Sequence, residues 1–366
     1  MQGTIVGRSV AELDTPALLV DVDAMDRNIA HIAATLGEVG VAWRPHAKGH
    51  KTPAIAHRQL AAGAIGITCA KLGEAEVFAA SGVRDILVAN QIVGPLKTRR
   101  LAALVAATGA DVMVAVDNPA NVAELDAAAA GFNVRPRVVV EVDSGMERCG
   151  VAPGAASLEL ARRIADTPNL RFAGLMAWEG HATSLAEHGP RRAEIAAAVG
   201  RLVETAEACR AAGLPVGIVS CGGSGTYLHA ARQTGITEVQ AGGATLGDFW
   251  YRELESPVEP ALALMAGVTS RPTADRIVVD AGRKSVDPSL RVPRPRGLDG
   301  VRAIAFSAEH GTISLDRPAE EPRPGDRVFF DIGYHDQCVH LHEALYAVRD
   351  GTVLAVWPTL ARGKLQ

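Results

Sequence analysis

The chain has 366 residues, 48% of them hydrophobic and 21% charged, with a formal net charge of -4. That length exceeds what one simple core usually organises, so a large domain with a smaller companion is expected. The mild acidity and the lack of polybasic runs exclude the electrostatic footprint of a nucleic-acid or membrane-surface binder, which leaves a small molecule as the partner.

Met1 to Asp14 carries neither a basic segment followed by an apolar one nor an Arg-rich amphipathic pattern, and no apolar run reaches membrane-spanning length. A cytoplasmic protein is expected. Cys69, Cys149, Cys209, Cys221 and Cys338 are scattered without Cys-x-x-Cys spacing, an odd count that suits reduced thiols.

In chain order, an apolar run at 17–22 and a helical pattern around 24–38 come first. Strand-like runs then alternate with Ala-rich helical stretches, starting at 42–48, 66–71, 85–91, 111–116, 137–143, 172–178, 215–223 and 237–243. Helices are predicted near 52–62, 73–81, 97–108, 119–130, 154–166, 188–212 and 226–233, with Asn118-Pro119 and Ala152-Pro153 as starts. Eight strands with intervening helices in this span fit a (β/α)8 TIM-like barrel better than an open doubly wound sheet. The run at 17–22 must then pack outside that ring.

Past residue 254, Pro and Gly punctuate short β-rich runs at 276–280, 301–306, 327–331 and 353–357. The expected organisation is an α/β barrel over 25–252 followed by a mostly-β C-terminal domain over 253–366, joined by residues 1–24.

Catalytic groups of such barrels come from the C-terminal ends of the strands, and several polar residues fall there. Arg44-Pro45-His46-Ala47-Lys48-Gly49-His50-Lys51 puts Lys48 at the end of an apolar run amid basic side chains, which can lower an amine's pKa and make it nucleophilic; a solvated basic turn is the alternative. Lys71 closes the run at 66–71, and Asn90 and Gln91 that at 85–91. Arg148 follows 137–143, where it can pair with an anionic oxygen or simply with Glu141 or Asp143; Glu179 and His181 follow 172–178.

Gly222-Gly223-Ser224-Gly225-Thr226 lies between a strand and a helix, where backbone N–H groups can surround a phosphate, and Gly242-Gly243 ends the neighbouring run. A plain tight turn is the alternative, since the loop has neither nucleotide-loop nor dinucleotide-fold spacing. Tyr334-His335-Asp336-Gln337-Cys338-Val339-His340-Leu341-His342-Glu343 is the densest group of ligand-type side chains. In a strand, His335 and Asp336 would face opposite ways, so a metal there requires a bend or loop; a hydrogen-bonded histidine patch is the other reading.

Taken together these residues resemble the fold-type III pyridoxal-phosphate enzymes, and within them the D-threonine aldolase and D-serine dehydratase group that shares the alanine-racemase barrel. The likeness covers most of the chain. It rests on Thr15-Pro16-Ala17-Leu18-Leu19-Val20-Asp21, on Arg-Pro-His-x-Lys-x-His-Lys around Lys48, on Thr68 to Glu76 and on Asn90-Gln91. The resemblance implies that Lys48 holds pyridoxal 5'-phosphate as a Schiff base and that Arg148 contacts its phenolic oxygen. It implies further that Gly222, Gly223, Ser224, Gly225, Thr226, Gly242 and Gly243 surround the phosphate, with Lys71 and Tyr251 also at the cofactor. Gln240 stands where alanine racemases place an arginine facing the pyridine nitrogen, which leaves the ring a better electron sink and disfavours racemisation. The aldolases and dehydratases hold a divalent metal (Mn, Mg or Zn) through a His-x-Asp or His-x-Cys pair. Here Tyr334 takes the histidine's place, Asp336 remains and His335 lies one position away.

The expected activity is a metal-assisted lyase on D-configured 3-hydroxy amino acids, cleaving them to glycine and an aldehyde, with His181 or a neighbouring basic residue as the candidate general base. The alternatives are a dehydratase of the D-serine or D-3-hydroxyaspartate type giving a 2-oxo acid and ammonia, an amino-acid racemase, or a non-catalytic cofactor carrier. The last is opposed by the C-terminal domain and its ligand-rich segment, which a carrier does not need. A homodimer is implied by the resemblance alone.

Overall fold

A computed structural model describes residues 5–366, so the first four residues of the amino-terminal stretch lie outside the described residues. Two compact units divide the chain. One holds His31–Lys48, Ile55–Gly242 and Gly363–Gln366; the other holds the chain up to Ala30, Gly49–Ala54 and Gly243–Arg362.

After β1 (Ala17–Asp21) and α1 (Val22–Glu38), the first unit runs through β2 (Ala42–Trp43), α2 (Pro53–Ala61), β3 (Ile67–Cys69), α3 (Leu72–Ala80), β4 (Asp85–Gln91) and α4 (Pro95–Thr108). It continues with β5 (Asp111–Val116), α5 (Pro119–Phe132), β6 (Arg137–Glu141), α6 (Ala155–Ala165), β7 (Arg171–Met176), α7 (His188–Ala211), β8 (Ile218–Cys221), α8 (Tyr227–Ala230) and β9 (Glu238–Val239). The strands β2 to β9 are all parallel, in the order β2-β9-β8-β7-β6-β5-β4-β3.

A parallel bridge between His46, just past β2, and Thr68 of β3 joins the two ends of that order, with Ala47 N donating to Thr68 O at 2.7 Å and Thr68 N to Pro45 O at 2.9 Å. The ring is therefore closed as a (β/α)8 barrel. Its strands are buried on both faces, as in β5, where five of six residues are buried, and this explains why they read as unbroken apolar runs. Helix starts follow local chemistry: Asn118 accepts from Asn121 N ahead of Pro119 at α5, whereas α6 begins at Ala155 behind Gly154, slightly past the predicted Ala152-Pro153 start.

The second unit adds α9 (Phe249–Glu253), β10 (Leu262–Thr273), β11 (Arg276–Val279), β12 (Arg294–Pro295), β13 (Val301–Phe306), β14 (Gly311–Leu315), β15 (Arg327–Asp331), α10 (His335–His340), β16 (Ala344–Arg349) and β17 (Thr352–Pro358). Its sheet runs β13-β14-β11-β10-β1-β16-β17, with β15 joining β10 to β12. The amino-terminal β1 is thus central, antiparallel to β10 and parallel to β16. Four of these strands, β10, β12, β14 and β16, were not marked by the apolar pattern, β12 lying in the proline cluster at 291–296. β10 has partners on both edges, which hold it extended. Among the described residues no helix is long and apolar enough to cross a membrane, and the five cysteines are free thiols.

Candidate active site

Lys48 lies in a turn beyond β2, exposed at the C-terminal side of the barrel. Its backbone N–H donates to His46 Nδ1 at 3.3 Å, and Thr52 N donates to His50 Nδ1 at 3.1 Å. Both imidazoles accept at Nδ1, so they shape the turn as neutral rings. Arg44 points the other way: it is buried, with Nε 3.0 Å from Glu238 and Nη1 2.6 Å from Asp85, residues that begin β9 and β4. The crowd of cations expected around Lys48 is therefore thinner than the sequence suggested, because Arg44 is neutralised at the far end of the strands.

The loop Gly222–Thr226 follows β8, and β8, β9 and β2 are neighbours in the ring. Ser224 and Thr226 are buried. A Cβ at Gly223 would lie 2.4 Å from the Trp178 ring, so glycine is required for the loop to pack on that indole. Gly223 N donates to the Thr226 hydroxyl at 2.9 Å, and that hydroxyl donates to the carboxyl of Glu179, which also accepts from Gly222 N at 3.3 Å. Glu179 is 1% exposed, and burial pushes its carboxyl up while the bonds from Thr226 and Gly222 oppose that shift. Gln240, at the end of β9, donates its amide to the Ser220 hydroxyl at 2.9 Å and brings no cation. An exposed amine, a loop of hydroxyl and N–H donors and a neutral amide fit a phosphorylated aldehyde cofactor with an uncompensated ring nitrogen.

His181 sits in the turn after β7, its Nε2 2.9 Å from Glu194 on α7. Glu194 also accepts from Arg201 Nη2 at 2.9 Å, and Arg201 bonds the Ser144 carbonyl through Nε at 2.9 Å and Nη2 at 2.6 Å. His181 Nδ1 is buried and has no hydrogen-bond partner among the described residues. Hydrogen bonding from His181, then from Arg201, holds the Glu194 carboxyl below the usual carboxylate range. Arg148 is exposed in the loop after β6. Its charge acts on Glu141, which is buried, pushed up by that burial and bonded by Gln91. Lys71 is half-buried at the start of α3, and Asn90 donates to Ala70 O at 2.8 Å.

In the second unit, Gly243, Tyr251, His335 and Asp336 come together. The segment from His335 is a helix and not a strand, so adjacent His335 and Asp336 do not face apart: His335 Nε2 is 3.4 Å from Asp336 Oδ1. A cation holding a nitrogen and an oxygen at about 2.1 Å each spans them by roughly 3.0 Å in octahedral and 3.4 Å in tetrahedral geometry, so this pair fits a divalent ion. Behind it, His335 Nδ1 is 2.7 Å from Asp248, which also accepts from His335 N and Tyr251 N. That carboxylate fixes the tautomer that leaves Nε2 as the ligand atom.

A Cβ at Gly49, the residue after Lys48, would lie 2.6 Å from His335 Nε2 and 2.8 Å from Asp336 Oδ1, so only glycine leaves this corner open. Tyr334, in the place where the resemblance implies histidine, bonds Asp336 and Tyr251 through its hydroxyl. Cys338 and His342 instead turn to the Ser285 carbonyl, at 3.6 and 2.7 Å, and stand apart from the pair. Among the described residues no group of three or more His, Cys, Asp or Glu could hold a metal, so His335 and Asp336 stand as a pair without a third such ligand.

Asp248, Glu194, Arg201 and Trp178 were not marked by the sequence. Asp248 reads only as a helix cap before Phe249, and Glu194 and Arg201 as surface charges of a long helix; their partners are remote in the chain.

Residues 20–249 match the family described as alanine racemase, N-terminal domain, and residues 261–348 one described as putative serine dehydratase domain. The chain is 36% identical to a D-threonine aldolase of an Arthrobacter species, over 98% of its own length and 95% of the relative's. It is 34% identical to a 3-hydroxy-D-aspartate aldolase of Paracoccus denitrificans, over 98% and 94%. The crystal structure of D-threonine aldolase from Filomicrobium marinum superposes with a TM-score of 0.94 at 34% identity, covering 99% of each chain. With its closed parallel barrel, its lysine turn and a C-terminal domain of the matching kind, the chain belongs to the alanine-racemase N-terminal-domain family, among the fold-type III pyridoxal-phosphate-dependent lyases.

Proposed function

We propose that this enzyme cleaves D-configured 3-hydroxy amino acids between Cα and Cβ, releasing glycine and an aldehyde. The observation that carries the reading is the His335–Asp336 pair with Asp248 behind it. A racemase has no use for a grip on a 3-hydroxyl, whereas aldol cleavage depends on one. Likeness to a D-threonine aldolase and a 3-hydroxy-D-aspartate aldolase over nearly the whole chain supports the same choice.

When bound, pyridoxal phosphate supplies an electron sink for the pair released at Cα, and a divalent cation supplies Lewis acidity at the 3-hydroxyl. Lys48 would hold the cofactor through its amine, Arg148 would meet its phenolic oxygen, Lys71 and Tyr251 would help to bind it, and Gly223, Ser224, Gly225, Thr226, Gly242 and Gly243 would hold its phosphate. Gln240 would bring no cation against protonation of the ring nitrogen. His335 and Asp336 would hold the cation. His181 takes the 3-hydroxyl proton at Nδ1, the O–H pair becomes the carbonyl, and the Cα–Cβ pair leaves toward Cα. The working protein is a cytoplasmic homodimer.

A dehydratase would use the same cofactor and cation residues but a different proton, Lys48 removing that of Cα while the 3-hydroxyl leaves as water, and the description of residues 261–348 favours it as the second reading. One assay separates them. D-Threonine, D-phenylserine and D-3-hydroxyaspartate are supplied with Mn²⁺ or Mg²⁺, then with chelator. Glycine plus aldehyde, lost on chelation, is the expected result. A 2-oxo acid with ammonia means dehydration, loss of optical rotation alone means racemisation, and bound cofactor without turnover means a carrier.

A further inference from the structure

The loop read as the phosphate cradle has a carboxyl packed into it. Glu179 is 1% exposed and is bonded by the Thr226 hydroxyl and by Gly222 N–H. The Thr226 hydroxyl has one hydrogen to give. It already accepts from Gly223 N at 2.9 Å, so while that hydrogen points at Glu179 the hydroxyl offers an anion only lone pairs. A phosphate dianion would then meet an oxygen that cannot donate, with a carboxylate directly behind it. One proton on Glu179 reverses both features: the carboxyl O–H donates to Thr226 Oγ1, and the Thr226 hydrogen swings to the phosphate.

We propose that filling this loop with a phosphate dianion is coupled to uptake of one proton by Glu179, which thereby serves as a positioning residue for Thr226. The inference rests on the reading that Gly222–Thr226 holds the cofactor's phosphate. Atoms balance simply: a proton from solvent ends on Glu179, the Thr226 proton stays on its oxygen, and no bond other than hydrogen bonds changes partner. Burial, the largest influence on Glu179, makes its protonation easier, while the bonds from the Thr226 hydroxyl and Gly222 N–H hold the anion as long as the loop is empty. The titratable groups facing it are the Cys221 thiol on β8, itself pushed well up by burial and then by Glu179, and His181 in the turn after β7, which favours the anion.

The test uses the full chain depleted of cofactor and titrated with pyridoxine 5'-phosphate, whose alcohol cannot react with Lys48. At pH 8 the ligand is a dianion, since the second ionisation of a phosphate monoester lies near about 6. Calorimetry in two buffers of different ionisation enthalpy counts protons. Net proton uptake, with affinity falling as pH rises by up to about tenfold per unit, is expected for the wild type. Glu179→Gln, whose amide N–H donates to Thr226 permanently, should bind with no uptake and a flat pH dependence. Thr226→Val, which removes the relay, should also lose the uptake and serves if the first variant does not accumulate. Zero uptake by the wild type, or uptake unchanged in either variant, overturns the coupling. No binding of pyridoxine 5'-phosphate to the wild type overturns the cradle reading itself.

Discussion

The two nitrogens of His181 have different fates, and that difference assigns its chemistry. Nε2 is tied to a carboxylate held ionised by Arg201, so it carries the hydrogen; Nδ1 is left as the acceptor. His181→Asn should lower kcat by roughly 10²–10⁴-fold, the usual contribution of general acid–base catalysis, while the absorption of bound cofactor is unchanged. Steady-state kinetics beside a cofactor spectrum checks this. His335 is oriented in the same manner by Asp248. Asp248→Asn should weaken Mn²⁺ binding about 10–100-fold without displacing the cofactor, as loss of an outer-shell partner usually does; metal titration of the holoenzyme reads it. His181, His335 and Asp336 stood out in the sequence by residue type. Their orienting carboxylates did not, because Glu194 and Asp248 lie 13 and 87 residues from the histidines they hold.

At the scale of elements, the barrel was the most legible part. Continuous apolar runs mark strands covered on both faces, and each of the eight became a strand of the ring. Their lengths were less legible. The run at 42–48 yields a two-residue β2: Arg44 N and His46 N still donate to Val239 O and Gln240 O at 2.9 and 3.0 Å, and the chain crosses to β3 at His46 before it turns at Lys48. Arg44 anchors that crossing through Glu238, both side chains being almost wholly buried. Removing Glu238 leaves the buried guanidinium with Asp85 as its remaining carboxylate, so Glu238→Ala should cost less in urea denaturation than the about 3–5 kcal/mol of a fully stranded charge, and replacing both Arg44 and Glu238 by apolar residues of similar volume should cost less still. In the second unit, α10 escaped the sequence reading: six residues are too few for a helical period, and strand and helix cannot be separated over such a span.

For the molecule as a whole, charge and composition pointed to small-molecule chemistry, and buried carboxyls make its stability depend on pH. Glu141 is buried and its carboxyl is raised, chiefly by that burial. A raised acid contributes stability that is fully present below its unfolded value and is lost as pH rises through its folded one. Wild type should therefore lose stability relative to Glu141→Gln as pH rises above about 5, and the two should converge on the acid side, as followed by denaturant midpoints across pH.

Local pattern was enough to determine the alternation of strands and helices, the lysine that ends the first run and the glycine loop after β8, because each is written in neighbouring residues through periodicity and turn chemistry. Tertiary structure alone decided which groups meet. It closed the ring through His46 and Thr68, drew Arg44 away from Lys48, set His335 and Asp336 side by side at a helix start and buried Glu179 behind Thr226. Apart from the neighbouring His335 and Asp336, which the helix brings to one side, these are contacts between distant positions, chosen by packing and by the need to pair buried charge, and no local stretch of sequence encodes them.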